Sequence, residues 1–197
     1  RLGKPYASFG LGTGYDLCYL QNSYQIDFYE INPDLIKMAQ NPQYFRSLSS
    51  CEGTYKIIEG DVRQTITDAE DGYYGAIIST ASLSSSVPFH LLTKEAIELY
   101  LDKLAAGGAL VIMTPANFFD FTSLFASYET LFDMPVYVHE PIDTESHKFR
   151  YFLFTKPPLN ITDLENSYLY WTKIKSNASP TPIWHDDFYN ILDVIDY

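Results

Sequence analysis

Gly10-Leu11-Gly12-Thr13-Gly14, placed directly after an apolar run at 6–9, constrains this chain more than any other feature. Glycines let a chain turn tightly and let a ligand lie against bare backbone. The helix expected next, over 14–20, offers unbonded N–H groups at its start. A dinucleotide fingerprint needs a third glycine at the last place of G-x-G-x-x-G, and counting from Gly10 that place holds Tyr15. NAD and FAD are therefore disfavoured. The G-x-G-x-G spacing suits an adenosyl ligand, which has no pyrophosphate.

After this turn, strand and helix patterns alternate. Strands are expected at 6–9, 25–30, 55–59, 74–79 and 109–114. Asn32, Pro33 and Asp34 are each suited to a helix start. Ala96, Leu99, Tyr100 and Leu104 recur at helical spacing over 93–104, with Gly107 and Gly108 expected to stop that helix. Another helix is expected at 121–132, then two strands, 136–139 and 150–155, forming a hairpin-like edge. Strands separated by helices imply parallel pairing with right-handed crossovers. The expected class is α/β and Rossmann-like, a mostly parallel sheet of about seven strands with helices on both faces. Ligands on such sheets sit beyond the carboxyl ends of the strands, so the loops after the first four strands are the places to look. Residues 1–156 form the expected nucleotide-binding part. Pro157 and Pro158 mark a break, and 157–197 form an aromatic-rich tail, with Trp171 and Trp184, expected to pack on the same domain. Asp186 or Asp187 is read as the N-cap of a last helix.

The formal net charge of -12 disfavours nucleic acid, whose phosphates would be repelled, and permits a cationic small substrate such as an amine. No stretch approaches the ~18 consecutive apolar residues of a membrane span, so no membrane contact is expected of this segment. The chain opens on Arg1, which suggests a piece of a longer protein. The expectation is a cytoplasmic domain, with attachment to a membrane through the rest of the parent left open, as is a homo-oligomer. Cys18 and Cys51 form no CxxC pair, so no metal site is expected. They are read as reduced thiols packed as small hydrophobes.

Four places carry candidate chemistry. Gly10, Gly12 and Gly14 form the turn. Glu30, ending the second strand, can accept hydrogen bonds from both ribose hydroxyls. Asp61, after Gly60, can accept one from an adenine amino group. The loop 80–88 offers hydroxyls but no carboxylate, thiol or imidazole before His90. No G-x-S-x-G elbow is present, so hydrolase chemistry is disfavoured, and His90 is read as a capping or core histidine.

Taken in order, these residues resemble the spermidine synthase family, in particular the synthase-like domain often fused behind membrane segments. The likeness is carried by Gly10 to Gly14; Phe28-Tyr29-Glu30-Ile31-Asn32-Pro33 with Asn41-Pro42-Gln43-Tyr44-Phe45; Gly60-Asp61-Val62-Arg63; Val87-Pro88-Phe89-His90-Leu91-Leu92-Thr93; and Trp184-His185-Asp186-Asp187-Phe188-Tyr189-Asn190. The resemblance implies a class I S-adenosylmethionine-methyltransferase fold. It implies S-adenosylmethionine, decarboxylated S-adenosylmethionine or methylthioadenosine as ligand. Glu30 would bind ribose and Asp61 the adenine edge, with Val62 and Thr80 beside them. The implied reaction is aminopropyl transfer to an amine, which needs a carboxylate to hold the amine and take its proton.

The family's fourth-strand loop carries two aspartates, and here those places hold Thr80 and Ser85. Neither is a base near neutral pH. Asp186 or Asp187 could replace them if the tail folds over the site. Three readings stay open: an aminopropyltransferase-like enzyme, an S-adenosylmethionine-dependent methyltransferase, and an inactive nucleotide-binding or scaffold domain.

Overall fold

A computed structural model of the protein describes residues 3–19, 24–80, 88–116, 118–139, 149–159, 171–174 and 182–195. The strands are β1 (Tyr6–Phe9), β2 (Gln25–Glu30), β3 (Thr54–Glu59), β4 (Tyr74–Ser79), β5 (Leu104–Pro115), β6 (Val136–His139), β7 (Phe149–Thr155) and β8 (Trp171–Lys173). The α-helices are α1 (Pro33–Gln40), α2 (Ser47–Ser50), α3 (Val62–Thr65), α4 (Lys94–Lys103) and α5 (Thr122–Phe132). One sheet holds all eight strands in the order β3-β2-β1-β4-β5-β7-β6-β8. The first five strands pair in parallel. β7 and β6 then run antiparallel to their neighbours, as does β8.

The chain leaves β1 towards β2 and β3, then returns to place β4 on the other side of β1. This reversal of strand order opens a crevice at the carboxyl ends of β1 and β4. Helices cover both faces. Residues of α3, α4 and α5 pack with Ala7, Phe9 and Tyr29 in the main core. On the other face Ile36, Ala39 and Leu48 from α1 and α2 meet Ile26 and Phe28. Asn32 caps α1 as expected, its Oδ1 accepting from the N–H of Asp34 at 3.0 Å.

Several expectations are corrected. The sheet has an eighth strand, β8, because the outer edge of β6 is completed by Trp171–Lys173; three residues are too few to show a period. The 136–139 and 150–155 pair is antiparallel as read, but β7 lies inside the sheet between β5 and β6. The helix after the glycine turn is a short 3-10 helix, Tyr15–Tyr19, within the described residues. Helix α4 ends at Lys103, before the two glycines, which lie inside β5 where the register against β4 shifts. A Cβ on Gly108 would meet the Ala105 carbonyl oxygen at 2.9 Å, so close backbone approach, not helix termination, calls for that glycine.

Cys18 and Cys51 are not free thiols. They form a disulfide, with Cα atoms 4.9 Å apart. Leu17 and Leu48 sit in one core cluster, and this packing brings the neighbouring cysteines together. Asp186 and Asp187 do not cap a helix: they occupy a tight turn closed by mutual backbone bonds between His185 and Phe188. Asn190 caps the last 3-10 turn, Ile191–Val194.

Candidate functional site

The glycine turn begins where β1 ends. Gly10 has φ of 99° and Gly14 of 70°, conformations costly for any residue with a Cβ. At Gly14 an added Cβ would also meet Leu48 at 2.5 Å. Below the turn, the fully buried Ser8 donates its hydroxyl to Asp16 Oδ2 at 2.8 Å, bracing the turn against the 3-10 helix.

Glu30 is 6% exposed at the end of β2. Its Oε2 accepts the Leu11 N–H at 2.9 Å, and its Oε1 accepts the Asn32 N–H at 2.9 Å. The carboxylate thus pins the glycine turn to the start of α1. Two carboxylate oxygens offer about four acceptor sites, so capacity remains towards the cleft. Asp61 sits two residues past the end of β3, directly after Gly60, as the N-cap of α3. Its Oδ1 accepts the Arg63 N–H at 2.8 Å. Its Oδ2 lies 3.7 Å from His90 Nε2.

These groups share one cleft of about 190 Å³, lined among others by Phe9, Gly10, Glu30, Asp61, Val62 and His90. Its walls are apolar where Phe9, Ile31, Val62 and Leu91 line it. Among the described residues its carboxylates are Glu30 and Asp61, the second with His90 beside it. His90 corrects its expected role: its side chain is 52% exposed at the cleft, while Thr93 caps α4 by accepting from the Ala96 N–H.

Of the candidate residues, Gly10, Glu30, Asp61 and Val62 come together at the cleft. Gly12, Gly14 and Thr80 do not line it. Thr80 instead donates both its N–H and its hydroxyl to the Phe9 carbonyl at 3.1 Å, tying the ends of β1 and β4. Ser85 lies outside the described residues. Asp187 is exposed. Asp186 is held by Arg63, which donates Nη2 to Oδ2 at 2.8 Å and Nη1 to Oδ1 at 3.1 Å, and by the Thr93 hydroxyl at 2.6 Å. Burial pushes the Asp186 carboxyl up, but these hydrogen bonds and the charges of Arg63 and His90 outweigh it and hold the group below the ordinary aspartate value. The adjoining His185 Nδ1 lies 2.7 Å from Glu95 Oε1, which also helps hold Glu95 low against the opposing effect of burial.

Sequence reasoning missed this Arg63–Asp186–Thr93 cluster. Arg63 stands in the Gly60-Asp61-Val62-Arg63 stretch, but its partner is 123 residues away. Behind Phe9, Tyr100 is fully buried and its hydroxyl has no hydrogen-bond partner among the described residues; the two rings lie 4.8 Å apart. A second cavity, about 370 Å³, lies on the far side of Tyr29. There the buried Asp27 accepts from the Tyr74 hydroxyl at 3.0 Å and from Gln25 at 2.6 Å. No group of metal-ligating side chains occurs among the described residues.

No family model matches the chain, and no curated protein sequence does. Solved structures do resemble it. A probable spermidine synthase from Corynebacterium glutamicum superposes with a TM-score of 0.64 at 13% identity, over 88% of this chain and 67% of that one. A spermidine synthase in complex with the transition state analogue AdoDATO gives 0.58 at 17% identity, over 87% and 60%. The fold is Rossmann-like, of the class I S-adenosylmethionine-methyltransferase type. A TehB-like S-adenosylmethionine-dependent methyltransferase from Corynebacterium glutamicum shares it, with a TM-score of 0.53 at 19% identity over 79% and 82%. The chain thus spans about two thirds or less of the length of these two synthases. No helix among the described residues is long and apolar enough to cross a membrane.

Proposed function

We propose that this chain, taking 1–156 and the tail 157–197 as one domain, binds an adenosyl thioether or sulfonium: S-adenosylmethionine, its decarboxylated form or methylthioadenosine. One observation carries the reading: Gly10, Glu30 and Asp61, from the ends of three different strands, line a single cleft at the strand-order reversal. In this reading Glu30 takes the ribose hydroxyls with its remaining acceptor capacity. Asp61 Oδ2, left free by the cap, takes an adenine N–H. The negative cleft suits a sulfonium. Calorimetry with the three ligands tests it. One-to-one binding that is lost in Asp61→Ala supports the reading, and absence of binding by all three removes it.

The reaction proposed first is spermidine-synthase-like: an amine attacks the aminopropyl carbon beside the sulfonium, the C–S bond breaks, methylthioadenosine leaves and the amine loses a proton. A bound decarboxylated S-adenosylmethionine would supply the activated carbon. The chain would have to supply the base. Thr80 donates its hydroxyl to a backbone carbonyl, and Asp186 is engaged by Arg63. Among the described residues, Glu30 and Asp61 are the only carboxylates lining the cleft. This shortage favours a second reading, nucleotide binding with methyl transfer or with no turnover, because methyl transfer relies on alignment more than on a base. Methylthioadenosine release from decarboxylated S-adenosylmethionine and putrescine separates the two. The disulfide bears on location as well: structural bridges persist in oxidising compartments and are rare in the cytosol, so thiol trapping of the protein from cells tests the cytoplasmic expectation.

A further inference from the structure

We infer that Arg63 is a positioning residue, which ties the C-terminal tail to the adenine end of the cleft and holds the Asp61 carboxylate in register with it. The identity of the ligand rests on the reading above; the role of Arg63 is additional to it.

Arg63 acts on the cleft in two ways. Its backbone N–H donates to Asp61 Oδ1 at 2.8 Å, which fixes the carboxylate plane and leaves Oδ2 the less engaged oxygen. Its guanidinium donates to the His90 carbonyl at 3.0 Å, to the Thr93 hydroxyl at 3.1 Å, and to both carboxylate oxygens of Asp186. One rigid planar group therefore joins three separate pieces of chain: the start of α3, the turn carrying His90, and the tail. The first two both line the cleft, where Asp61 Oδ2 and His90 Nε2 stand 3.7 Å apart. The fork geometry fixes the plane of the guanidinium as a single point charge could not. The Arg63 side chain is 19% exposed, so this is a packed junction and not a loose surface pair. The Thr93 hydroxyl, 2.6 Å from Asp186 Oδ1 and 3.5 Å from the His90 carbonyl, belongs to the same junction.

The test reads base recognition separately from overall affinity. Asp61 accepts from the 6-amino group of adenine, whereas the 6-oxo group of hypoxanthine offers an acceptor in its place. Calorimetry would compare 5′-methylthioadenosine with 5′-methylthioinosine on the whole chain, for wild type, Arg63→Gln and Asp186→Asn, each checked by thermal melting. The wild type should prefer the adenosine ligand. Arg63→Gln should lower that preference about tenfold, the size of one hydrogen bond to a charged acceptor. Asp186→Asn, which keeps the fold-bearing contacts of Arg63, should lower it less, in the same direction. A purely structural role would weaken both ligands equally, so an unchanged ratio in both variants overturns the inference while the adenosyl reading stands. Equal binding of the two ligands by the wild type also overturns it, because Asp61 would then not read the base. Failure of the wild type to bind either ligand removes both readings together.

Discussion

The two ends of the sheet are held by different physics. At the β3-β2-β1 end, polar contacts and a covalent tie fix short segments: Glu30 clasps two backbone N–H groups, Ser8 reaches Asp16, and Cys18 bridges to Cys51. At the β5-β7-β6 end the agent is aromatic packing. Phe125 lies 4.3 Å from Phe152, and Trp184 from the tail lies between 5.6 and 6.0 Å from Phe89, Tyr189 and Phe121. The first end spends its hydrogen-bonding groups on placing a few atoms at strand ends, and the cleft is there. The second supplies apolar burial, and it reaches the cleft through Phe9, Tyr29 and Leu91, which share its core, and through Arg63 and the tail. Site precision and bulk stability are thus assigned to different parts of one sheet.

The largest test of this division is Trp184→Ala. Trp184 is fully buried, so the change should cost about 3–5 kcal/mol in urea unfolding. A loss under about 1 kcal/mol would mean that the tail is no part of the aromatic core. Next comes the paired change Cys18→Ser and Cys51→Ser, expected to cost about 2–4 kcal/mol with the aromatic end unchanged by near-ultraviolet circular dichroism. Glu30→Gln follows at about 1–3 kcal/mol, because the amide nitrogen would face a backbone donor. Its ligand affinity should fall by about tenfold or more, a loss comparable with that in folding. An unchanged affinity would show that Glu30 is only a scaffold residue.

The smallest effect concerns pH. The Asp186 carboxyl is held below its ordinary value, so its contribution to stability is present above the ordinary aspartate pKa and is lost as pH falls through the lowered one. Asp186 is half exposed, so the stability gap between wild type and Asp186→Asn should stay below about 1 kcal/mol. That gap should shrink below about pH 4, and a gap that widens with acid would contradict the Arg63 pairing.

Legibility in the sequence followed the same divide. The ends of β1, β2 and β4 and the cap at Asn32 were readable, because each depends on residue types within a few positions of one another, while the approach of Glu30 to Asp61 follows from parallel pairing of β2 with β3. The second job of Glu30, clasping Leu11, was not, since the demand comes from a backbone N–H that carries no side-chain signature. The Cys18–Cys51 bridge and the Arg63–Asp186 pair depend on packing between distant segments. β8 is too short to show alternation, and Asp186 or Asp187 reads as a helix N-cap because Asp serves caps and tight turns alike.

The central claim is that one adenosine-shaped cleft unites the glycine turn, Glu30 and Asp61. A crystal soaked with methylthioadenosine addresses it directly. The account predicts density with the ribose against Glu30 and the base edge at Asp61 Oδ2, beneath Gly10. Density bound elsewhere, or with the base turned away from Asp61, would contradict it.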